Sequence, residues 1–252
     1  MTLKAKLFLR FIPIVPKKLL FFLNPFFKDK ISYKNGLIKI TDKIQCHYVI
    51  KERLAIYRKG LLYRGSELAN SYHLDEINLE PNSLIIDIGA NVGDLLLWLP
   101  EFIRYVGFEP SPLEFGMLSK NIRSNSKALN YAATNKDSII KFYLASKEAD
   151  SSIFQPPVYS SSIEVQGVRV DELINEHIKI LKVDAEGAEM EVLEGCINLF
   201  NKIEYISIDL GFEKGILQES TFVPCLKFLS QNGFELIKLN RNLRCLFRNS
   251  HI

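Results

Sequence analysis

A chain of 252 residues with 47% hydrophobic and 24% charged side chains can bury one sizeable core with a small appendage beside it, and reads as soluble and globular. No uninterrupted apolar run reaches transmembrane length, which excludes a membrane-spanning chain. The net charge of +3 conceals an asymmetry: residues 1–60 carry fourteen Lys and Arg against three acids, a local +11, while residues 61–252 sum to −8, so the two parts are expected to do different jobs.

No acid occurs between Met1 and Lys28, and Lys4, Lys6, Arg10, Lys17, Lys18 and Lys28 interleave with Leu- and Phe-rich runs. A signal peptide is set aside, because Arg10, Pro13 and Pro16 interrupt the apolar stretch and no small-residue cleavage site follows. Two readings stay open for residues 1–28: a basic amphipathic segment in peripheral contact with an anionic membrane, or a helical cap packed on the domain that follows.

From Leu84 onward, β-rich runs alternate with helical patterns, the mark of a sheet covered by helices on both faces. Leu84 to Ile88 predicts a buried parallel strand ending in Gly89-Ala90-Asn91-Val92-Gly93, with a helix over Asp94 to Arg104. Tyr105 to Phe108 predicts a second strand, Pro112 to Ser124 a helix, and Ala128 to Ala132 a third strand. Ile139 to Leu144 alternates as a half-exposed strand, hairpinned with Ser162 to Val170 across a Ser-rich surface loop holding Pro156-Pro157. Asp171 is a candidate helix N-cap. Ile178 to Val183 and Tyr205 to Ile208 are strands flanking a helix over Ala188 to Phe200. Phe222 to Ser230 predicts a helix, and Phe234 to Leu239 with Arg244 to Phe247 an antiparallel pair that brings the count to seven strands.

The chemistry concentrates at strand ends. Asp87 closes a buried strand, and the glycines after it let backbone turn sharply and approach a ligand closely. Gly89 and Gly93 flank Asn91 rather than a second glycine, so the loop departs from G-x-G-x-x-G and NAD is the weaker reading. Glu109, at the end of the next strand, can accept both hydrogen bonds of a ribose diol.

Through Ile86-Asp87-Ile88-Gly89-Ala90-Asn91-Val92-Gly93-Asp94, Phe108-Glu109-Pro110-Ser111-Pro112 and Leu181-Lys182-Val183-Asp184-Ala185-Glu186-Gly187-Ala188-Glu189, the chain resembles the FkbM-type family of S-adenosylmethionine-dependent methyltransferases. The resemblance covers roughly residues 72 to 210. It implies a class I methyltransferase fold: α/β, with a Rossmann-like seven-stranded, mostly parallel sheet, an antiparallel terminal strand and an N-terminal helical or cap extension. Residues 1–70 would be that extension and 71–252 the cofactor-binding domain. It further implies S-adenosylmethionine as cofactor and methyl transfer to a hydroxyl of a saccharide, glycan or related natural product.

Carried over by position, Asp87, Gly89, Ala90, Asn91 and Gly93 would surround the methionine portion, Glu109 would hold the ribose, and Ser111 with the backbone near Ala132-Ala133 would border adenine. Asp184 and Glu186 would be the catalytic pair beside sulfur and acceptor. Methyl transfer aligns acceptor oxygen, methyl and sulfur in line and removes the acceptor proton. Asp184, Glu186, Glu189 and Asp209 offer either a general base or, as the weaker reading, a Mg²⁺ site of Asp184, Glu186 and Asp209; no metal is otherwise expected. Glu191 reads as an ordinary helix-start acid and Lys182 as a neutraliser of the acidic cluster.

Gln155-Pro156-Pro157-Val158-Tyr159 superficially matches the N-P-P-Y motif of amino-directed nucleic-acid methyltransferases but lies in the wrong place, ahead of the fourth strand, and reads as loop. His47, His73, His177 and His251 show no metal-ligand spacing; His73 alone precedes the cofactor loop closely, with a surface role as the plainer reading. Cys46, Cys196, Cys225 and Cys245 form no C-x-x-C pair and point to a reduced, cytoplasmic compartment. The rival functions are a nucleic-acid methyltransferase, supported only by the +11 region and not expected, and a catalytically inactive cofactor-fold binding module.

Overall fold

The computed structural model of the protein describes Ile12, residues 15–144 and residues 151–252. Much of the membrane-or-cap expectation for residues 1–28, and residues 145–150 of the Ser-rich loop, lie outside the described residues.

Among the described residues the first element of the extension is a 3-10 helix, Lys17–Phe26, followed by an antiparallel meander of β1 (Lys30–Lys34), β2 (Leu37–Thr41) and β3 (Cys46–Val49). A second 3-10 helix, Lys51–Lys59, leads into helix α1 (Leu61–Ser71). Ile31, Ile38, Ile40 and Val49 pack with Leu20, Leu23 and Tyr57 into a core of their own, which touches the larger domain through Leu97. Among the described residues the extension is therefore helical only at the two flanks of the meander, and the boundary expected after residue 70 falls inside the last turn of α1.

The larger domain follows as β4 (Leu84–Ile88), β5 (Arg104–Phe108), α2 (Pro112–Asn121), β6 (Ser126–Leu129), β7 (Ala132–Ala133), β8 (Ser138–Leu144) and β9 (Ser161–Val168). Then come α3 (Val170–Leu173), β10 (Ile178–Val183), α4 (Glu189–Glu194), β11 (Ile203–Asp209), β12 (Phe212–Lys214), β13 (Glu219–Ser220), α5 (Phe222–Gln231), β14 (Phe234–Leu239) and β15 (Arg244–Asn249). Seven strands form the main sheet in the order β14-β15-β11-β10-β4-β5-β6. All five residues of β4 are buried, as a parallel strand covered on both faces requires. β15 runs against both β11 and β14, so the antiparallel strand is last in the chain but next to the edge in the sheet. The expected hairpin exists: β8 and β9 pair antiparallel from Ser138↔Gly167 to Leu144↔Ser161 and form a separate small sheet with β7.

Three local expectations change. The helix expected over Asp94 to Arg104 is a single 3-10 turn, Asp94–Leu97, because Pro100 removes a donor and biases Leu99 away from helical backbone. The helix expected over Ala188 to Phe200 divides into α4 and a 3-10 helix, Ile197–Lys202, parting at Gly195, the poorest helix former in the run. Arg169, not Asp171, is the N-cap of α3; Asp171 pairs with Arg169 at 2.6 Å and accepts the Asn198 N–H at 3.2 Å, serving the start of the 3-10 helix Ile197–Lys202.

Candidate active site

β4 and β10 are parallel neighbours from which the chain winds outward in opposite directions, to β5 and β6 on one side and β11 on the other. Ligands of open α/β sheets bind at such a switch point, beyond the carboxyl ends of the strands. Here the ends of β4, β5, β10 and β11 open into a cavity of about 480 Å³. Asp87, Gly89, Ala90, Asn91, Glu109 and Ser111 line it, as do Ala133, Asp184, Glu186 and Asp209. Gly93 does not; it lies behind the loop, where a Cβ would meet the Leu118 side chain at 2.8 Å.

Gly89 has φ +71, and a Cβ there would stand 1.9 Å from the Asp184 carbonyl oxygen, so the first turn after β4 passes the end of β10 at a distance only glycine allows. The turn aims the Asn91 N–H at Glu109, whose Oε2 accepts it at 2.8 Å, while Oε1 accepts the Ser111 N–H at 2.8 Å. Burial pushes the Glu109 carboxyl up to about 8; Glu114 and Asp87 add to the rise and the two N–H donors oppose it. Phe108, Tyr131, Ala132 and Ala133 give this end of the cavity an apolar wall.

Asp87 is held on both oxygens. It stands in register with Lys182 of β10, which places both side chains on one face of the sheet, and Lys182 Nζ donates to Oδ1 at 2.8 Å. The Tyr105 hydroxyl donates to Oδ2 at 2.8 Å. Burial opposes the Lys182 charge, but Asp87 and Asp184 outweigh it and raise its pKa.

At the other end, Tyr72, directly after α1, is fully buried and donates its hydroxyl to Asp184 Oδ2 at 2.6 Å, with Asp209 Oδ2 at 3.5 Å. Its carbonyl accepts the Ser207 hydroxyl at 2.6 Å, and its ring lies under the Arg244 guanidinium at 4.4 Å and Lys182 Nζ at 4.8 Å. Burial, then the Asp184 charge, drive the Tyr72 pKa far above its ordinary value, so the phenol stays a donor. Arg244 Nε donates to Asp209 Oδ2 at 2.6 Å; burial and Asp184 nonetheless hold the Asp209 carboxyl above the usual range. Glu186 takes a positive φ of 49° in the turn after β10, and its carbonyl accepts the hydroxyl of Ser152, a buried residue of the loop expected at the surface.

The Mg²⁺ alternative does not assemble. Among the described residues no group of three or more His, Cys, Asp or Glu is placed to hold a metal ion, and the negative charge of Asp209 and Asp184 is already met by Arg244 and Lys182. Glu189 is no ordinary helix-start acid: buried, it accepts the Ala185 and Gly187 N–H groups at 3.2 and 2.9 Å and the Thr221 hydroxyl at 2.8 Å, and burial lifts its carboxyl to about 7. Glu191 pairs with Lys214 at 3.0 Å.

The extension is fastened to the loop after β4 through Asp94. This buried carboxylate accepts the Tyr57 hydroxyl at 2.5 Å and Arg64 Nε at 2.8 Å, meets His47 Nε2 at 3.0 Å, and has Arg53 Nη2 at 3.8 Å. Burial works against its charge, yet the His47 hydrogen bond and the arginines hold its pKa well below the carboxylate range. Asn121 of α2 makes a second tie, donating to the Tyr48 and Val92 carbonyls at 2.8 and 2.7 Å. As a result Arg53, Arg64, Glu67, Leu68, Ser71 and Tyr72 line the cavity. Sequence reasoning missed these residues and Arg244; for Tyr72 and Arg244, position just outside a helix end and at a strand start was the only available signal.

A switch-point cavity on this seven-stranded sheet, with its one antiparallel strand next to the edge, defines a class I methyltransferase fold. The model of the Methyltransferase FkbM domain matches residues 87–236, and the chain belongs to that family. A hexuronic acid methyltransferase, AglP, of Haloferax volcanii is 23% identical over 233 residues, covering 85% of this chain and 91% of the relative. Methyltransferase sdnD of Sordaria araneosa is 26% identical over 171 residues, 51% of this chain and 66% of the relative. The crystal structure of a methyltransferase FkbM from Methylobacillus flagellatus superposes with a TM-score of 0.49 at 15% identity, over 68% of this chain and 44% of that one, so this chain spans less than half of that protein.

Proposed function

We propose that the protein uses S-adenosylmethionine to methylate a hydroxyl of a saccharide, glycan or related polar acceptor. The observation that carries the reading is one cavity with two chemically distinct ends: Glu109, aimed by two backbone N–H groups, and Asp184, aimed by Tyr72. The residues suit the cofactor. Glu109 keeps lone pairs for a ribose diol, Phe108, Tyr131 and Ala133 suit a purine, and Asp87, Asp184 and Asp209 outnumber Lys182 and Arg244, which favours a cation between them.

Bound S-adenosylmethionine supplies an electrophilic methyl group on a cationic sulfur. Asp184, oriented by Tyr72, would accept the proton of the acceptor hydroxyl while that hydroxyl's oxygen bonds to the methyl carbon and the carbon–sulfur bond breaks, its electron pair staying on sulfur to leave S-adenosylhomocysteine; Glu186 would help hold the acceptor. Arg53, on the wall contributed by the extension, brings a guanidinium to the cavity, a group suited to an acceptor carboxylate. The name of the Haloferax volcanii relative agrees with an acidic sugar.

The test is calorimetric titration with S-adenosylhomocysteine, followed by transfer of labelled methyl groups to neutral and acidic saccharides. One-site binding and labelling of a saccharide oxygen are expected; folded protein that binds no S-adenosylhomocysteine would overturn the reading in favour of a binding module.

A further inference from the structure

The 3-10 helix Lys17–Phe26 buries Leu20 and Leu23 but turns Leu19, Phe21, Phe22 and Phe26 outward, at 42%, 52%, 61% and 53% exposed. Single exposed apolar side chains are ordinary; four large ones within ten residues make a patch that calls for a partner. Two further exposed apolar side chains stand on α1 near the end of this segment. The Lys28 N–H donates to the Arg58 carbonyl at 3.1 Å and Asp29 Oδ2 accepts the Leu61 N–H at 2.6 Å, which sets the end of this segment against Arg58 to Tyr63. Leu62 and Tyr63 are exposed there, with Lys59 Nζ 4.1 Å above the Tyr63 ring.

Charge identifies the partner. Exposed Lys17, Lys18 and Lys28 flank the four apolar side chains in the chain, Lys59 lies over the Tyr63 ring, and the neighbouring acid Asp29 accepts the Leu61 N–H. A protein partner would need a matching acidic rim and apolar centre, whereas an anionic bilayer presents both as a continuous surface. We propose that this face docks on anionic membrane, with Phe21, Phe22, Phe26 and Leu62 entering the boundary between headgroups and acyl chains and the lysines meeting lipid phosphates. Helix α1 then holds the cavity close to the interface, because Leu62 and Tyr63 adjoin Arg64 and Glu67 of the cavity wall on the same helix. Docking does not depend on the methyl-transfer reading, and either can fail without the other.

The full chain is sedimented with phosphatidylcholine vesicles lacking or containing phosphatidylglycerol. Pelleting only with the anionic vesicles, weakened by salt, is expected. Phe21→Glu with Phe22→Glu, and separately Lys17→Glu with Lys18→Glu, should each lower the partition coefficient by on the order of tenfold or more. All four residues are exposed, so both double variants should keep the parent melting temperature. Folded protein that never pellets, or pelleting untouched by either pair, overturns the proposal. A dimer in vesicle-free solution that Phe21→Glu dissolves also overturns it, by assigning the face to a second copy.

Discussion

Lys182 and Asp87 meet across β10 and β4, Nζ to Oδ1 at 2.8 Å, both almost wholly buried. Removing one partner leaves a charge without compensation in the sheet, so Lys182→Met should cost about 3–5 kcal/mol in urea unfolding. Adding Asp87→Leu should restore much of that loss. An unchanged midpoint for the single variant would mean the pair contributes nothing.

Glu109 ties stability and ligand affinity to pH in opposite directions. Its folded pKa, about 8, stands above the ordinary 4.5, so its contribution to stability is complete below 4.5 and is lost as pH rises through about 8. A ribose diol donates to the charged form, so S-adenosylhomocysteine affinity should climb with pH towards about 8, with proton release on binding below it. Glu109→Gln should flatten that dependence and weaken binding by about 1.5–3 kcal/mol by titration calorimetry. A pH dependence that survives the substitution would point to Glu189, whose carboxyl lies at about 7.

Asp184→Asn should lower kcat by roughly 10²–10⁴ while leaving S-adenosylhomocysteine affinity within a few fold. Tyr72→Phe should also lower kcat, because Asp184 and Asp209 lose the hydroxyl between them. Labelled-methyl transfer read beside calorimetry separates these effects, and equal losses in both would reassign Asp184 to cofactor binding.

Arg53→Gln should raise KM for an acidic saccharide by roughly tenfold or more, the loss of a charge-assisted hydrogen bond, and leave a neutral one unaffected. Equal effects on both acceptors would refute anion recognition there.

Asp94→Ala strips Tyr57, Arg64 and His47 of their shared acceptor. A loss of about 3–5 kcal/mol is expected. Limited proteolysis should then cut first between residues 42 and 60, where the extension would loosen. A variant as resistant as the parent would show that Asn121 alone secures the meander.

The main sheet was legible because its strands carry continuous or alternating apolar runs, and one end of the cavity because Asp87, Gly89, Asn91 and Glu109 sit at strand ends within short local motifs. The meander was equally present as signal: Ile31 and Tyr33, then Ile38 and Ile40, flank Asn35-Gly36, both of which take positive φ in the turn. The amphipathic reading covers residues 1–28 only, and the meander stood undivided within the extension expected over residues 1–70. Tyr72 and Arg244 were not legible, since they converge on Asp184 and Asp209 from opposite ends of the chain and no local pattern records that meeting. Asp94 stood in the family motif, but its partners lie 30 to 47 residues upstream.

Helix α1 belongs by order in the chain to the extension and by position to the cavity. The block matched across the family runs from residue 87 to 236, so it holds Asp87, Glu109 and Asp184 but neither Arg53, Arg64 and Tyr72 before it nor Arg244 after it. If the acceptor meets these walls as proposed, exchanging the segments outside the matched block between relatives would move acceptor preference with them.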